Sequence, residues 1–196
     1  MAVRDFAHLH LHTEYSLLDG MGRIDEYMKL AREHGMQHIA ISDHGVMYGA
    51  IDWYRAAKAN DLHPVIGVEA YLAQGSMHER TKGAYHLLLL AENQTGYRNL
   101  LKLVSRASLD GFYYRPRIDL DLLGELNEGI IATSACLGGP VANNFLEGHD
   151  AEAERQAKAL LDIFGPNHFY IELQEHGIPG QRETNKKLID LARRLD

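Results

Sequence analysis

Cysteine and tryptophan each occur once in 196 residues, proline five times, and basic residues do not predominate. A lone thiol, Cys136, excludes an internal disulfide framework and fits a reducing compartment. No apolar run approaches the roughly 20 residues of a membrane helix. The opening Met1-Ala2-Val3-Arg4-Asp5-Phe6 lacks the apolar core of a secretory leader. A cytoplasmic chain with no membrane partner is therefore expected. The formal net charge of −7 excludes a protein that coats duplex DNA through a basic face, although bound cations would let an acidic chain handle phosphate. There is no phosphate-binding G-x-x-x-x-G-K-[ST] loop, no dinucleotide fingerprint, no internal repeat and no low-complexity segment.

What the chain has is an ordinary globular balance, 45% hydrophobic and 24% charged, at a length that supports one core. Short apolar runs alternate with amphipathic stretches. Strands are expected at Phe6–His12, His38–Ser42, Pro64–Leu72, Ala84–Ala91, Gly129–Cys136 and His168–Gln174. Helical stripes run through Ile24, Tyr27, Met28 and Ala31 with a stop at Gly35, through Tyr97, Leu100, Leu101 and Val104, through Ala153 to Phe164, and through Leu188 to Leu195. Segments Gln74–Gly83 and Gly111–Arg117 read as flexible loops. The alternation implies a largely parallel sheet flanked by helices, as a barrel or an open doubly wound sheet.

Twelve histidines against one cysteine turn attention to metal chemistry. Alternate residues of a strand share a face, so His10 and His12 can bind one cation together. Asp19 follows after a turn-like segment. His44 stands at the mouth of the second strand, and Glu69 is a carboxylate inside an apolar strand, where it must be paired or metal-bound. His86 begins the Leu87–Leu90 run, and Cys136 ends another strand with a soft ligand that favours zinc. These seven potential ligands come from five strand ends and one following turn, which favours a barrel, where sites gather at the strand mouths. His8 reads as a core or second-layer histidine beside the site, and His176, like Glu172, could line the mouth. Arg115 and Arg117, interleaved with Tyr113 and Tyr114, could steer a DNA strand, or form a solvated loop that packs its tyrosines.

His10-Leu11-His12-Thr13, Asp19-Gly20, Ser42-Asp43-His44-Gly45, Gly67-Val68-Glu69-Ala70-Tyr71, His86 and Ser134-Ala135-Cys136-Leu137-Gly138 together resemble the PHP (polymerase and histidinol phosphatase) family. The nearer resemblance is to the N-terminal PHP domains of bacterial DNA polymerase III alpha subunits, also carried by Thr95-Gly96-Tyr97-Arg98-Asn99-Leu100, Gly111-Phe112-Tyr113 and Leu126-Asn127-Glu128-Gly129. It covers nearly the whole chain. The resemblance implies an α/β fold, a distorted (β/α)7 TIM-like barrel, C-terminally truncated. Residues 1–196 would be a PHP domain lacking its last strand and the downstream polymerase domains. It implies up to three divalent metal ions, zinc or manganese. His10, His12 and Glu69 would hold the first, Glu69, His86 and Cys136 the second, and Asp19 and His44 would contribute to the third. A later Asn-Asp-x-His strand that completes the family's set is absent from this sequence. The implied activity is phosphodiester hydrolysis by metal-bound water with no side-chain nucleophile, as a 3′–5′ exonuclease that proofreads during DNA replication. The implied partners are a DNA 3′ end, the remaining polymerase domains and other replicase subunits. A structural module that docks a proofreading subunit, or a stand-alone phosphatase, would be the alternatives.

Overall fold

The computed structural model describes residues 6–195. Helix α1 (Ile24–Glu33) buries Ile24, Met28 and Ala31 on the expected stripe and stops before Gly35, whose φ of 72° suits glycine. Strand β1 (His38–Ile41) leads to α2 (Ala50–Ala59), β2 (His63–Ala73) and β3 (Ala84–Ala91). Helix α3 (Gln94–Leu109) is capped by the Asn93 side chain, which accepts from the N–H groups of Thr95 and Gly96 at 2.9 and 3.1 Å. Next come β4 (Arg117–Ile118), α4 (Leu120–Leu126), β5 (Ile130–Thr133), α5 (Pro140–Leu146), α6 (Asp150–Phe164), β6 (Phe169–Tyr170) and α7 (Gln181–Leu195).

The six described strands form one mixed sheet in the order β1-β2-β3-β5-β6, with β4 also on β2. The pairs β1/β2, β2/β4 and β5/β6 are parallel, while β3 runs antiparallel to both β2 and β5. This corrects the largely parallel expectation. The connection from β2 to β3 is Gln74–Gly83, with no helix in it, and so short a link cannot make the crossover that a parallel return needs.

The sheet is not closed, since no ladder joins β6 back to β1 among the described residues, so the expected distorted, C-terminally truncated TIM-like barrel is matched only as far as a mixed α/β fold. Phe6–His12, which bends at His10, and residues 171–174 enter no ladder. At each place a serine hydroxyl takes a backbone partner that a ladder would use. Ser42 Oγ accepts the Leu11 N–H at 2.8 Å, and Ser134 Oγ accepts the Glu172 N–H at 2.9 Å. The N-terminal segment still lies along β1, since the N–H groups of Ala40 and Ser42 donate to the carbonyls of His8 and Leu11.

Strand alternation divides the side chains of β2 and β3. Val68, Ala70, Leu72, Leu87 and Leu89 join the main core with Leu100 and Leu103 of α3, while Leu88 and Leu90 join a small cluster with Ala40 and Ala135. Each fully buried leucine contributes about 1.5–3 kcal/mol. Glu69 and Tyr71 share the face of Leu88 and His86, their register partners on β3. The small cluster therefore underlies a polar face.

Candidate metal centre

Glu69 is 1% exposed and sits among four imidazoles. Its Oε1 lies 3.1 Å from His10 Nε2 and 3.0 Å from His86 Nδ1, and its Oε2 lies 3.4 Å from His12 Nε2 and 2.5 Å from His44 Nδ1. Cys136 Sγ is 3.8 Å from Glu69 Oε1 and 3.5 Å from His86 Nδ1. Six of the seven predicted ligands thus meet at one carboxylate. The seventh, Asp19, joins through His44, with its Oδ2 2.8 Å from His44 Nε2. His44 groups with Glu69 and His86 as well as with Asp19, so the structure ties it more closely to the central carboxylate than the expected third site did.

Local backbone chemistry brings these groups together. Beyond β1 the chain stays bonded to β2, because Glu69 N–H donates to the Asp43 carbonyl and Gly45 N–H donates to the Glu69 carbonyl. His44 is thereby held level with Glu69. Asp43, buried beside it, accepts from Thr13 N–H at 2.6 Å, Thr13 Oγ1 at 2.8 Å and Ser16 Oγ at 2.7 Å, which fixes the loop that carries Asp19. The same loop needs Gly20, since a Cβ there would lie 1.8 Å from the Thr13 carbonyl oxygen. His86 reaches this rim from the N-terminal end of β3, because that strand is reversed. Ala135 adopts φ 57°, a strained backbone for an L-residue, just before Cys136, whose sulfur accepts the Gly138 N–H at 3.3 Å.

The charges are tightly interlocked. Burial opposes the charging of His10, but hydrogen bonds and charge from Glu172 and Glu69 outweigh it and raise its pKa to about 10. His86 is pushed up to about 10 by its hydrogen bonds to Cys136 and Glu69. His44 is also raised, because the Glu69 and Asp19 carboxylates overcome its burial. His12 goes the other way, lowered by burial and by neighbouring His44, whose ring stacks on it at 4.1 Å. Burial alone would raise Glu69, yet the His10, His44 and His86 bonds hold it far below the usual carboxylate range.

Polar atoms are nevertheless left over. His12 Nδ1 is buried without a hydrogen-bond partner, and His44 Nδ1 and Glu69 Oε2 are buried with none outside the cluster. Such orphans are costly, and nitrogen and carboxylate oxygen at this spacing are the donors of a divalent-cation site. Two triads bring their ligand atoms within 4.8 Å of one another, His10–His12–Glu69 and His44–Glu69–His86. The donor set fits a metal.

Other predicted residues fall differently. Glu172 reaches the cluster, with Oε1 2.7 Å from His10 Nδ1 and Oε2 accepting from Thr133 Oγ1. His8 is exposed and its ring stands edge-on to Phe6 at 4.9 Å, so it does not back the site; its segment lacks the strand geometry that would align it with His10. His176 is also exposed, in the turn before Gly177 (φ 72°), and its backbone N–H bonds Gln181 at 2.7 Å. Arg117 corrects the DNA-contact expectation. It is 2% exposed on β4, and its guanidinium donates to the carbonyls of Gly111, Thr81, Met77 and Glu79. Those bonds leave it no role at a surface. Arg115 does lie at the mouth, donating from Nη1 to Tyr71 Oη at 2.6 Å. The sequence reasoning missed Asp43 and Tyr71. The signals were a carboxylate next to His44, and an aromatic two residues beyond Glu69 on the same strand face.

The PHP domain family model matches residues 8–176. The chain belongs to the PHP family. This PHP domain is 46% identical over 195 residues to the DNA polymerase III subunit alpha of Borreliella burgdorferi, and 42% identical over 203 residues to that of Aquifex aeolicus. The alignments cover 97% and 98% of the PHP domain but 17% of each relative, so the chain spans about a sixth of the length of the curated relatives it matches. Among solved structures, a Bifidobacterium adolescentis protein assigned as a metal-dependent phosphoesterase superimposes with a TM-score of 0.59, covering 96% of this chain and 83% of that one. At 14% identity the likeness is one of fold. No described helix of the PHP domain is long and apolar enough to cross a membrane.

Proposed function

We propose that this chain is the metal-dependent phosphodiesterase module of a replicative DNA polymerase, acting as a 3′–5′ exonuclease on a DNA 3′ end. The observation that carries the reading is the Glu69 cluster, four imidazoles and a thiol about one buried carboxylate, with two triads whose ligand atoms lie within 4.8 Å of one another. The relatives named as polymerase III alpha subunits support the replicative setting. The partners in this reading are the remaining polymerase domains of a longer chain and other replicase subunits, in the cytoplasm.

His10, His12 and Glu69 would hold one divalent ion, and Glu69, His44, His86 and Cys136 a second, with Asp19 at the open side of His44; zinc suits the thiol, and manganese suits the carboxylates and imidazoles. When bound, such ions supply Lewis acidity, neutralising phosphate charge and acidifying water. The protein's own residues do the positioning. Glu69 holds three imidazoles, His10, His44 and His86, by bonding each. Glu172 grips the far nitrogen of His10 and so fixes its ring and tautomer. Asp43 keeps the Asp19 loop in place.

The test compares wild type with His12→Ala after loading with zinc or manganese, following shortening of a 5′-labelled single strand. Loss of degradation by a variant that still melts cooperatively supports the assignment. Equal degradation by both proteins would place the activity elsewhere.

A further inference from the structure

Two open cavities meet at the rim of the Glu69 cluster, one of about 440 Å³ and one of about 340 Å³, and both are lined by Tyr71, His86, Tyr114 and Arg115. Together they form a cleft of small-ligand size that leads to His86 and His44. Its wall is unusual. Tyr114 is 70% exposed and has φ 59°, a backbone state that costs an L-residue about 1–2 kcal/mol. A loop that merely packed its tyrosines would bury this ring. Instead the ring stands in water, braced edge-on by Tyr113 at 4.7 Å, with the Lys82 ammonium 5.4 Å from its centre. Next to it, the Arg115 guanidinium lies 4.8 Å from the centre of the Tyr71 ring and spends one N–H on Tyr71 Oη. Its other donors have no protein partner among the described residues. Asp19, the acid on the same cleft, is turned to His44.

We propose that this cleft is a nucleotide subsite for single-stranded nucleic acid, in which Tyr114 stacks an unpaired base next to the scissile linkage and Arg115 takes a backbone phosphate. The assignment rests on the phosphodiesterase reading of the Glu69 cluster and narrows its substrate to an unpaired strand held by Tyr114 and Arg115. An exposed aromatic face beside a guanidinium is the arrangement that binds single strands without regard to sequence. A base within a duplex has both faces stacked and cannot use Tyr114. A phosphomonoester would need the cluster alone and would leave both side chains without a role.

Fluorescence anisotropy of a labelled oligothymidylate with the metal-free chain tests the subsite at fixed salt. Tyr114→Asn suits the left-handed backbone and removes the ring, and Arg115→Gln removes the charge. Each weakens binding by about 10-fold, whereas Lys29→Ala on the remote α1 changes it by less than about 2-fold. A duplex binds about 10-fold more weakly than the single strand. Circular dichroism melts check folding, and Arg115→Lys, which keeps charge but not the fork, recovers part of the affinity should Arg115→Gln melt early. Unchanged affinity in folded Tyr114→Asn and Arg115→Gln, or a duplex bound as tightly as the single strand, overturns the proposal. Hydrolysis by the metal-loaded chain is scored separately. Hydrolysis with unaltered binding in both variants removes the subsite and leaves the phosphodiesterase. Weakened binding with no hydrolysis by any protein removes the phosphodiesterase and upholds a single-strand cleft.

Discussion

Replacing Glu69 with glutamine keeps the side-chain volume and removes the charge on which the cluster converges. At pH 7 His10 and His86, each with a pKa of about 10, are protonated in the metal-free chain. A displacement of three units above pH 7 corresponds to about 4 kcal/mol at most for either ring. Glu69 shares that work with Glu172 at His10 and with Cys136 at His86. Relief of the buried carboxylate's own desolvation offsets part of the loss. Breaking a buried charged partnership of this kind costs about 3–5 kcal/mol. At about 2–4 °C per kcal/mol for a chain of this size, Glu69→Gln melts roughly 6–20 °C below wild type at pH 7 without metal. The sign with pH follows from the raised histidines: their contribution is full below the ordinary histidine value of about 6.5 and is lost as pH rises through about 10. The gap between the proteins therefore narrows from pH 7 to pH 10. Thermal melts followed by circular dichroism across that range provide the assay. A gap under about 2 °C at pH 7, or one that widens as pH rises, would refute the central role of Glu69.

Metal binding at pH 7 must displace the protons on His10 and His86; calorimetry in two buffers of different ionisation heat should report release of at least about two protons per chain, with His44 and the Cys136 thiol able to add to them, and a value near zero would contradict the ligand assignment. Asp43→Asn removes charge from three hydrogen bonds and should cost about 2–3 kcal/mol, with faster hydrogen exchange over residues 13–20; unchanged exchange there would show that the loop is held by something else. Arg117→Met strips four carbonyls of their shared donor and should cost at least about 3 kcal/mol, read as a melt about 6–12 °C lower; a melt within about 2 °C of wild type would mean that water satisfies those carbonyls.

The ligands were legible in the sequence because each stands out against its local pattern. Glu69 interrupts an apolar strand, His10 and His12 share a period of two, and Cys136 is the lone thiol at a strand end. The helical stripes were legible for the same reason: burial on one side of a regular element leaves a periodic trace, as at Ile24, Met28 and Ala31. The family resemblance added the grouping of those ligands, although the sheet is mixed and not closed, where it implied a truncated (β/α)7 barrel.

Strand direction leaves no such trace within the strand, because the apolar run of Ala84–Ala91 reads the same whichever way it runs; the short β2–β3 connection forbids a parallel return, and the ladder brings His86 to the rim. Side-chain hydrogen bonds across distant segments are equally silent. The Ser42 and Ser134 hydroxyls take the N–H groups of Leu11 and Glu172, and Arg117 is buried by carbonyls 6 to 40 residues away. The amino-acid order by itself determined which chemistry was available and which faces were apolar. Tertiary structure decided which arginine meets solvent, which acid orients His10 and which imidazoles share a carboxylate, because those outcomes depend on distances between segments far apart in the chain.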